Sequence, residues 1–355
     1  MEPIICFGQQ PCGFFPKRFL VAKINTARSL QKEIGGKIVF FYHDSDADYR
    51  ETITIMTDRQ SGAEVRLNFT QENKIQKKFS PLYLKRIPAG WKEETLKQLP
   101  RFIDSSILPS PLLARHSLGE GGAGEGARRA DEGGKNLIDI FKSISANTVA
   151  DFCLEMYKKM GLLDGIEIVR SSDKTFRTQT NLSPSRLNPN ASEDEWMDPL
   201  SSKILPSSDS SEALGMALNG EYFADLPYQG EIVRAKVEKT RASLHEGGGK
   251  FTYFDLPDNI EKVQINPGKD ERFAWMNSVI HCTHYIAGNS EYDYIKREQF
   301  EEARPVNLSK ENIDKLETIN NNSGPDDENS SKKIVNGVKF IKREQIENSE
   351  MAWID

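Results

Sequence analysis

The sequence has few cysteines and no long apolar run. Its four cysteines, Cys6, Cys12, Cys153 and Cys282, are widely spaced, and none has a metal-binding spacing to another cysteine or a histidine. This usage is typical of buried thiols in a reducing compartment, not of a disulfide framework. No apolar stretch approaches the roughly 18–20 residues of a membrane-spanning helix, and no basic segment with a cleavage site follows Met1. The sequence therefore predicts a cytoplasmic protein without a membrane anchor.

The chain also lacks an excess of positive charge. It has 47 Lys and Arg against 53 Asp and Glu in 355 residues, which gives a net charge of -6. Nucleic-acid binding needs a basic surface, so this balance argues against a nucleic-acid partner. The hydrophobic content of 37% and the mean hydropathy of -0.58 describe a polar chain that is long enough to bury a large core. The expected partner is a small molecule, and a monomer and an oligomer are both compatible with the sequence.

Several signatures of catalysis are missing as well. The sequence contains no GxGxxG dinucleotide fingerprint, no P-loop lysine, no HExxH zinc motif and no GxSxG nucleophile elbow. No set of metal ligands stands out either. Candidate catalytic residues must therefore be located from the predicted order of strands and helices, not from a known motif.

The first part of the chain predicts a strand, a glycine loop, a helix, a second strand and an acidic loop. Ile4–Phe7 is a short apolar run, residues 19–34 follow a helical spacing, and residues 38–42 form a continuous apolar run. Such a β-α-β unit is parallel and right-handed, and ligands in α/β sheets bind at the carboxyl ends of strands. A helix and strand in 135–170 and a long helix in 269–287 extend the pattern. We therefore expect an α/β fold with a Rossmann-like, doubly wound, mainly parallel sheet.

Polar and glycine-rich segments interrupt this core. The composition near residues 105–135 and 171–211 predicts insertions. Residues 1–308 then form one catalytic core, and 309–355 form a polar, partly disordered tail in which 333–341 is a hairpin or a docked strand.

The loop after the first strand carries one set of candidate residues. Gly8, Gln9, Gln10 and Gly13 precede a helix, whose N-terminus favours an anion, and the glycines let backbone N–H groups approach a ligand. Lys23, further along that helix, is a candidate to reach a carboxylate or phosphate. A tight structural turn explains the loop equally well, and an ordinary solvated lysine is the plainer interpretation of Lys23.

The second strand ends in a second set, His43 to Asp48. Its three acids repel one another unless a metal, an amine-bearing substrate or another cation lies nearby. In an extended backbone Asp44, Asp46 and Asp48 would face one way, and one of them or His43 can serve as a general base. The alternative is an exposed acidic loop that caps a helix.

The segment FGQQPCGFFPKRFLVAK, followed by IVFFYHDSDADYRET, resembles the cysteine-adding enzymes of bacillithiol biosynthesis. These enzymes share a GQQ loop with a following glycine, a lysine further on, and a strand that ends in an acidic D-x-D-[FY]-x-E segment. The matching positions here are Gly8, Gln9, Gln10, Gly13, Lys23, Asp46, Asp48, Tyr49 and Glu51. A weaker similarity continues to Gly288 and Glu291 in YIAGNSEY. Ala47 stands where the family usually has histidine, and no long heptad segment matches its C-terminal coiled coil.

The resemblance implies a Rossmann-like ligase of low-molecular-weight thiol metabolism that adds cysteine to a glucosamine–malate conjugate, an amino-sugar substrate. The resemblance and the position of the loops at the strand ends together select the candidate catalytic residues, which are His43, Asp46, Asp48 and Glu51. They also select the candidate substrate-binding residues, which are Gly8, Gln9, Gln10, Gly13, Lys23, Gly288 and Glu291. Two alternatives stay open: a nucleotidyltransferase-type enzyme that uses a nucleotide and Mg2+, and a degenerate relative that binds without catalysis.

Overall fold

A computed structural model describes residues 2–103, 137–180, 222–238, 241–257, 260–268, 272–288, 332–335 and 338–343. The chain begins with strand β1 (Ile4–Gln9), helix α1 (Arg18–Ile34) and strand β2 (Lys37–Tyr42), which form the predicted parallel β-α-β unit. In this described part, no helix is long and apolar enough to cross a bilayer.

The remaining elements are short helices and short strands, most of them in runs of one kind. Up to residue 180 they are β3 (Thr54–Thr57), β4 (Glu64–Leu67), α2 (Lys74–Phe79), α3 (Trp91–Gln98), α4 (Leu137–Ser143), α5 (Val149–Lys159), β5 (Glu167–Arg170) and α6 (Lys174–Gln179). After residue 221 they are β6 (Tyr222–Tyr228), β7 (Glu231–Glu238), β8 (Arg241–Gly247), β9 (Lys250–Asp255), β10 (Ile265–Pro267), α7 (Arg272–Ile280), β11 (His284–Ala287), β12 (Lys332–Val335) and β13 (Val338–Lys342).

The central sheet has the strand order β12-β13-β11-β1-β2-β5. The five strands from β13 to β5 are parallel, and β12 joins β13 as an antiparallel hairpin. The predicted α/β class is therefore confirmed, and so is the late hairpin. The sheet takes strands from both sides of residue 308.

Both faces of this sheet are covered. Alternate residues of β2 point to opposite sides, so Phe40 joins one core with the α1 side chains, whereas Phe41 joins a second core with Trp275 of α7. This explains why residues 38–42 form a continuous apolar run: a parallel strand with two buried faces has no polar side.

A second sheet was not expected as a unit. Strands β6 to β10 form an antiparallel sheet in the order β10-β6-β7-β8-β9, with its own apolar core against Phe79 of α2. Local patterns predict single strands at residues 230–237 and 251–254, but not their pairing into one sheet.

Two helices are shorter than expected. The long helix predicted within 269–287 ends at Ile280, because His281 adopts a positive φ of 52° and the chain then enters β11. The helical pattern that begins near residue 135 is divided between α4 and α5. The predicted insertion at 171–211 begins with α6, and residues 105–135 and 181–211 lie outside the described residues.

Candidate functional site

A buried lysine supports the loop that follows β1. Lys23, which is 2% exposed, places Nζ 2.8 Å from the Gly8 carbonyl oxygen and 3.3 Å from Gln9 Oε1. A Cβ on Gly8 would lie 2.7 Å from the Tyr285 hydroxyl of β11, so glycine leaves room for the Tyr285 side chain at the end of β1. In this structure Lys23 therefore positions the end of β1 and the Gln9 amide.

The second half of the loop is tied to the core. Tyr157 of α5 accepts a hydrogen bond from Cys12 N at 3.0 Å and donates one to the Gly13 carbonyl oxygen at 2.6 Å. These backbone groups thus have protein partners. The side chains of Gln9 and Gln10, which are partly exposed, are better placed to contact a ligand.

Gly13→Ala should destabilise the protein by about 2–4 kcal/mol, since a positive φ and a clash with a backbone oxygen act together. Gly13 has a φ of +92°, and a Cβ there would lie 2.7 Å from the Phe15 carbonyl oxygen and 2.8 Å from Thr54 Oγ1. Gly90→Ala is the matched control, because Gly90 adopts the left-handed conformation with a φ of +74° and has open space around it. It should cost only about 1–2 kcal/mol. Urea unfolding measures both, and equal losses would contradict the prediction.

The three acids after β2 do not face a common ligand. Buried Asp44 pairs with Arg170 at 2.6 Å, and Asp48 pairs at 2.6 Å with Arg50, which is 74% exposed. The backbone turns at residues 44–45, so the extended conformation assumed for this segment is wrong. Each acid contacts a different arginine, which relieves their mutual repulsion without a metal.

Asp46 links the two strand-end loops to α7. Its carboxylate accepts hydrogen bonds from Gln10 Nε2, from Ala47 N at 2.6 Å and from Arg272 Nη2 at 3.1 Å. Burial favours a higher pKa for Asp46, but the charges of Arg234 and Arg272 outweigh it and hold that pKa well below its usual value. Asp46 is therefore a fixed negative charge that orients Gln10 and Arg272.

Ala47 contributes through its backbone. Its N–H donates to Asp46, and its carbonyl oxygen accepts a hydrogen bond from Lys85 Nζ, whose side chain is buried. Burial lowers the pKa of Lys85 to about 7, although the charges of Asp46 and Asp48 oppose the shift. These contacts at position 47 do not depend on the side chain that stands there.

His43 lies at the end of β2 with its ring buried. Its backbone N donates to the Gln9 carbonyl oxygen at 2.9 Å, the residue is 1% exposed, and neither ring nitrogen has a hydrogen-bond partner. The ring centroid lies 5.9 Å from that of Phe41 and 6.5 Å from that of Trp275. Burial, followed by the charge of Arg272, lowers the pKa of His43 well below 6.5. The neutral imidazole can exchange a proton with a ligand.

Three arginines from separate parts of the chain lie around His43, and we call Arg177, Arg234 and Arg272 the arginine cluster. They lie on α6, on β7 and at the start of α7. After burial, all three charges help to lower the pKa of His43. The antiparallel sheet thus contributes to the same site as the carboxyl edge of the parallel sheet.

Buried polar atoms without partners are concentrated here. In the part of the chain that the structure describes, six buried side-chain atoms lack a hydrogen-bond partner, and five of them are His43 Nδ1 and Nε2, Arg177 Nη2, Arg272 Nε and Trp275 Nε1. Each such group costs about 1–3 kcal/mol, and native proteins keep few of them. A ligand with acceptor atoms would satisfy the donors, so their grouping identifies the candidate ligand site.

The other predicted site residues lie around this centre. Glu51 is partly buried, and its backbone N donates to the Asp48 carbonyl oxygen at 3.3 Å. Gly288 directly follows β11, which neighbours β1, so it lies at the same edge of the sheet as Gln9. Glu291 lies outside the described residues.

The acids of this site fit a metal poorly. Within the described residues, no group of three or more His, Cys, Asp and Glu side chains could hold a metal ion. Mg2+ prefers carboxylate oxygens and water, but Asp44 and Asp46 are already paired with Arg170 and Arg272. The set of donors and charges suits an anionic ligand better than Mg2+.

Comparison with known proteins does not assign this chain to a family. A scan against models of protein families finds no match, and a search of curated proteins finds none. The function is therefore inferred from the site itself.

Proposed function

We propose that the chain is a small-molecule enzyme with ligase-like chemistry, of the type that adds cysteine to a glucosamine–malate conjugate in low-molecular-weight thiol metabolism. The observation that carries the proposal is His43, a buried neutral imidazole with two unpartnered nitrogens next to the Gln10–Asp46–Arg272 contacts. The resemblance of residues 7–51 to cysteine-adding enzymes supports the reaction class.

In this proposal His43 accepts the proton that an amine loses when it attacks a carboxyl carbon; the C–N bond forms as a C–O bond of the carboxyl breaks, and that oxygen leaves as water or with the phosphate or nucleotide that activated the carboxyl. Gln9 and Gln10 offer amide groups to the substrate at the end of β1. Lys23 holds Gln9 in place, and Asp46 holds Gln10, so both act as positioning residues. Neither Asp48 nor Glu51 is needed for the proton transfer.

A Rossmann-like, doubly wound arrangement is the finer proposal for the fold. In chain order the parallel strands are β1, β2, β5, β11 and β13, and in space they lie β13-β11-β1-β2-β5, with cores on both faces. In such sheets ligands bind where the strand order reverses, which here is between β1 and β11.

The four described cysteines are free and buried, which fits a cytoplasmic location.

A binding and product assay tests the proposal. The purified chain would be incubated with cysteine and a glucosamine–malate conjugate, with and without ATP and Mg2+, and the products analysed by mass spectrometry. We expect the conjugate to raise the melting temperature and a new product to carry the mass of both substrates less one water. Stabilisation by CTP or ATP only with Mg2+ would favour the nucleotidyltransferase alternative. Stabilisation by the conjugate without product would favour a binding module, and no effect of the conjugate would refute the proposal.

A further inference from the structure

Arg234 differs from the other two members of the arginine cluster in its contacts. Its guanidinium lies 3.6 Å from the centre of the Phe223 ring, with Nε 2.7 Å from Asn266 Oδ1 and Nη2 3.3 Å from the Pro267 carbonyl oxygen. All these partners are neutral. Within the described residues, Arg234 therefore has no carboxylate in direct contact.

The other two arginines each have a carboxylate partner. Arg177 pairs with Asp225 at 2.8 Å and Arg272 pairs with Asp46 at 3.1 Å. Asp225 also accepts hydrogen bonds from Tyr83 and Asn266, so its oxygens are well occupied. Three positive charges thus face two negative charges, so the cluster keeps an excess of one positive charge, although Asp46 attracts Arg234 as well as Arg272.

The surroundings of Arg234 also act on its pKa. Burial lowers the pKa of Arg234 to about 10; the charge of Asp46 opposes this shift, and the charge of Arg272 adds to it. A guanidinium ordinarily keeps its proton well above that range. The environment therefore disfavours this cation unless a negative group joins the site.

We propose that the arginine cluster binds an oxyanion, a carboxylate or phosphate group of the substrate, and that Arg234 supplies the charge that neutralises it. The unpartnered N–H groups of Arg177, Arg272 and Trp275 provide donors for its oxygens. This inference rests on the proposed function only in naming the substrate group held next to His43. Anion binding itself needs no turnover and is measured separately.

Arg234→Met and Arg241→Met form a matched pair of variants for the test. Arg241 lies on the same sheet and stacks on Tyr253 at 3.9 Å, much as Arg234 stacks on Phe223. Unlike Arg234, it is exposed and is not a member of the arginine cluster. Binding of inorganic phosphate and of succinate would be measured by calorimetry and thermal shift, with sodium chloride at equal ionic strength as the reference. We expect phosphate or succinate to stabilise the wild type beyond chloride. Arg234→Met should weaken binding by about tenfold or more, whereas Arg241→Met should leave it unchanged.

The shift in melting temperature that the anion causes gives a second readout. Arg234→Met also loses the contacts with Phe223, Asn266 and Pro267, so each variant is compared with itself without anion, and the stabilisation by anion should be lost in Arg234→Met. Arg234→Lys keeps the positive charge but loses the planar guanidinium, so it should bind the anion more weakly than the wild type does. If Arg234→Met does not fold, the lysine variant tests the inference in its place. A preference for phosphate or succinate identifies the group.

Two outcomes would overturn the inference: no stabilisation by either anion beyond chloride, or unchanged binding in both Arg234 variants. Product formation without anion binding would refute this inference alone. Anion binding without product would support it and count against the proposed reaction.

Discussion

Asp46→Asn should lower the unfolding free energy by about 1.5–3 kcal/mol, the range for hydrogen bonds to a charged group, because the pair of Asp46 with Arg272 is mostly but not fully buried. Asparagine can still accept a hydrogen bond from Ala47 N, but it cannot balance the charge of Arg272, 3.1 Å away, or that of Arg234. The variant leaves like charges facing one another in a buried site, and it frees Gln10 from its acceptor. Urea unfolding at pH 7 measures the loss.

Asp48→Asn is the matched control for this prediction. Asp48 pairs with Arg50 at 2.6 Å, but Arg50 is 74% exposed, and exposed pairs contribute only about 0–1 kcal/mol. A loss from Asp46→Asn no larger than that from Asp48→Asn would contradict the structure.

The pH dependence of the Asp46→Asn effect follows from the lowered pKa of Asp46. The unfolded chain binds a proton on this carboxyl near pH 3.9, whereas the folded protein does so only at lower pH. The stabilisation by Asp46 is thus complete above about pH 5 and is lost as the pH falls through the acid range. The difference between the wild type and Asp46→Asn should shrink towards pH 3, and a constant difference would show that the carboxylate charge is not responsible.

The first β-α-β unit could be predicted because its signals are local. Residues 38–42 form a run of apolar residues that only a strand buried on both faces explains, and the glycine pair at 35–36 ends the helix. Gly35 indeed has a φ of +73° where α1 ends. Periodicity and capping act over a few residues, so a single sequence is enough to show them.

The antiparallel sheet could not be predicted as a unit, since its pairing is not local. Strand β10 has only three residues, and it pairs with β6 from about forty residues earlier, with Ile265 opposite Ala224. Pro227 within β6 also weakens its strand pattern. No periodic signal connects these segments.

The candidate site could also be predicted only in part. The rule that ligands bind at the carboxyl ends of parallel strands selected both loops, and the structure brings Gln10 and Asp46 into contact there. The arginine cluster had no such signal, because its three members come from α6, β7 and α7. From the sequence alone, a single arginine is interpreted as a surface residue, because only the fold shows which residues surround it.

His43→Asn should reduce the rate of product formation by about 100-fold to 10,000-fold, the range for loss of a general base, with a much smaller change in KM. The asparagine side chain cannot accept the proton, although it fits the space at the end of β2. His245→Asn is the control, because His245 is exposed and stacks on Phe251 of the antiparallel sheet. Its rate should equal that of the wild type. A full rate for His43→Asn would exclude His43 as the base.

The rate should also depend on pH in a definite direction. The neutral imidazole is the active form, and burial with the nearby arginine charges lowers the pKa of His43 well below 6.5. The wild-type rate should therefore persist as the pH falls through 6.5 and decline only at lower pH. A decline centred near the pKa of about 6.5 of a solvated histidine would contradict this assignment.

His43→Phe separates a catalytic role from a structural one. Phenylalanine can pack between Phe41 and Trp275 without the two unpartnered ring nitrogens, so it should unfold at a higher temperature than the wild type while it loses activity. The gain should increase as the pH falls below about 6.5, because there the unfolded wild type takes up a proton that the folded protein refuses. If His43→Phe instead destabilised the protein, the imidazole would be contributing to the fold, and its buried nitrogens would no longer point to a ligand.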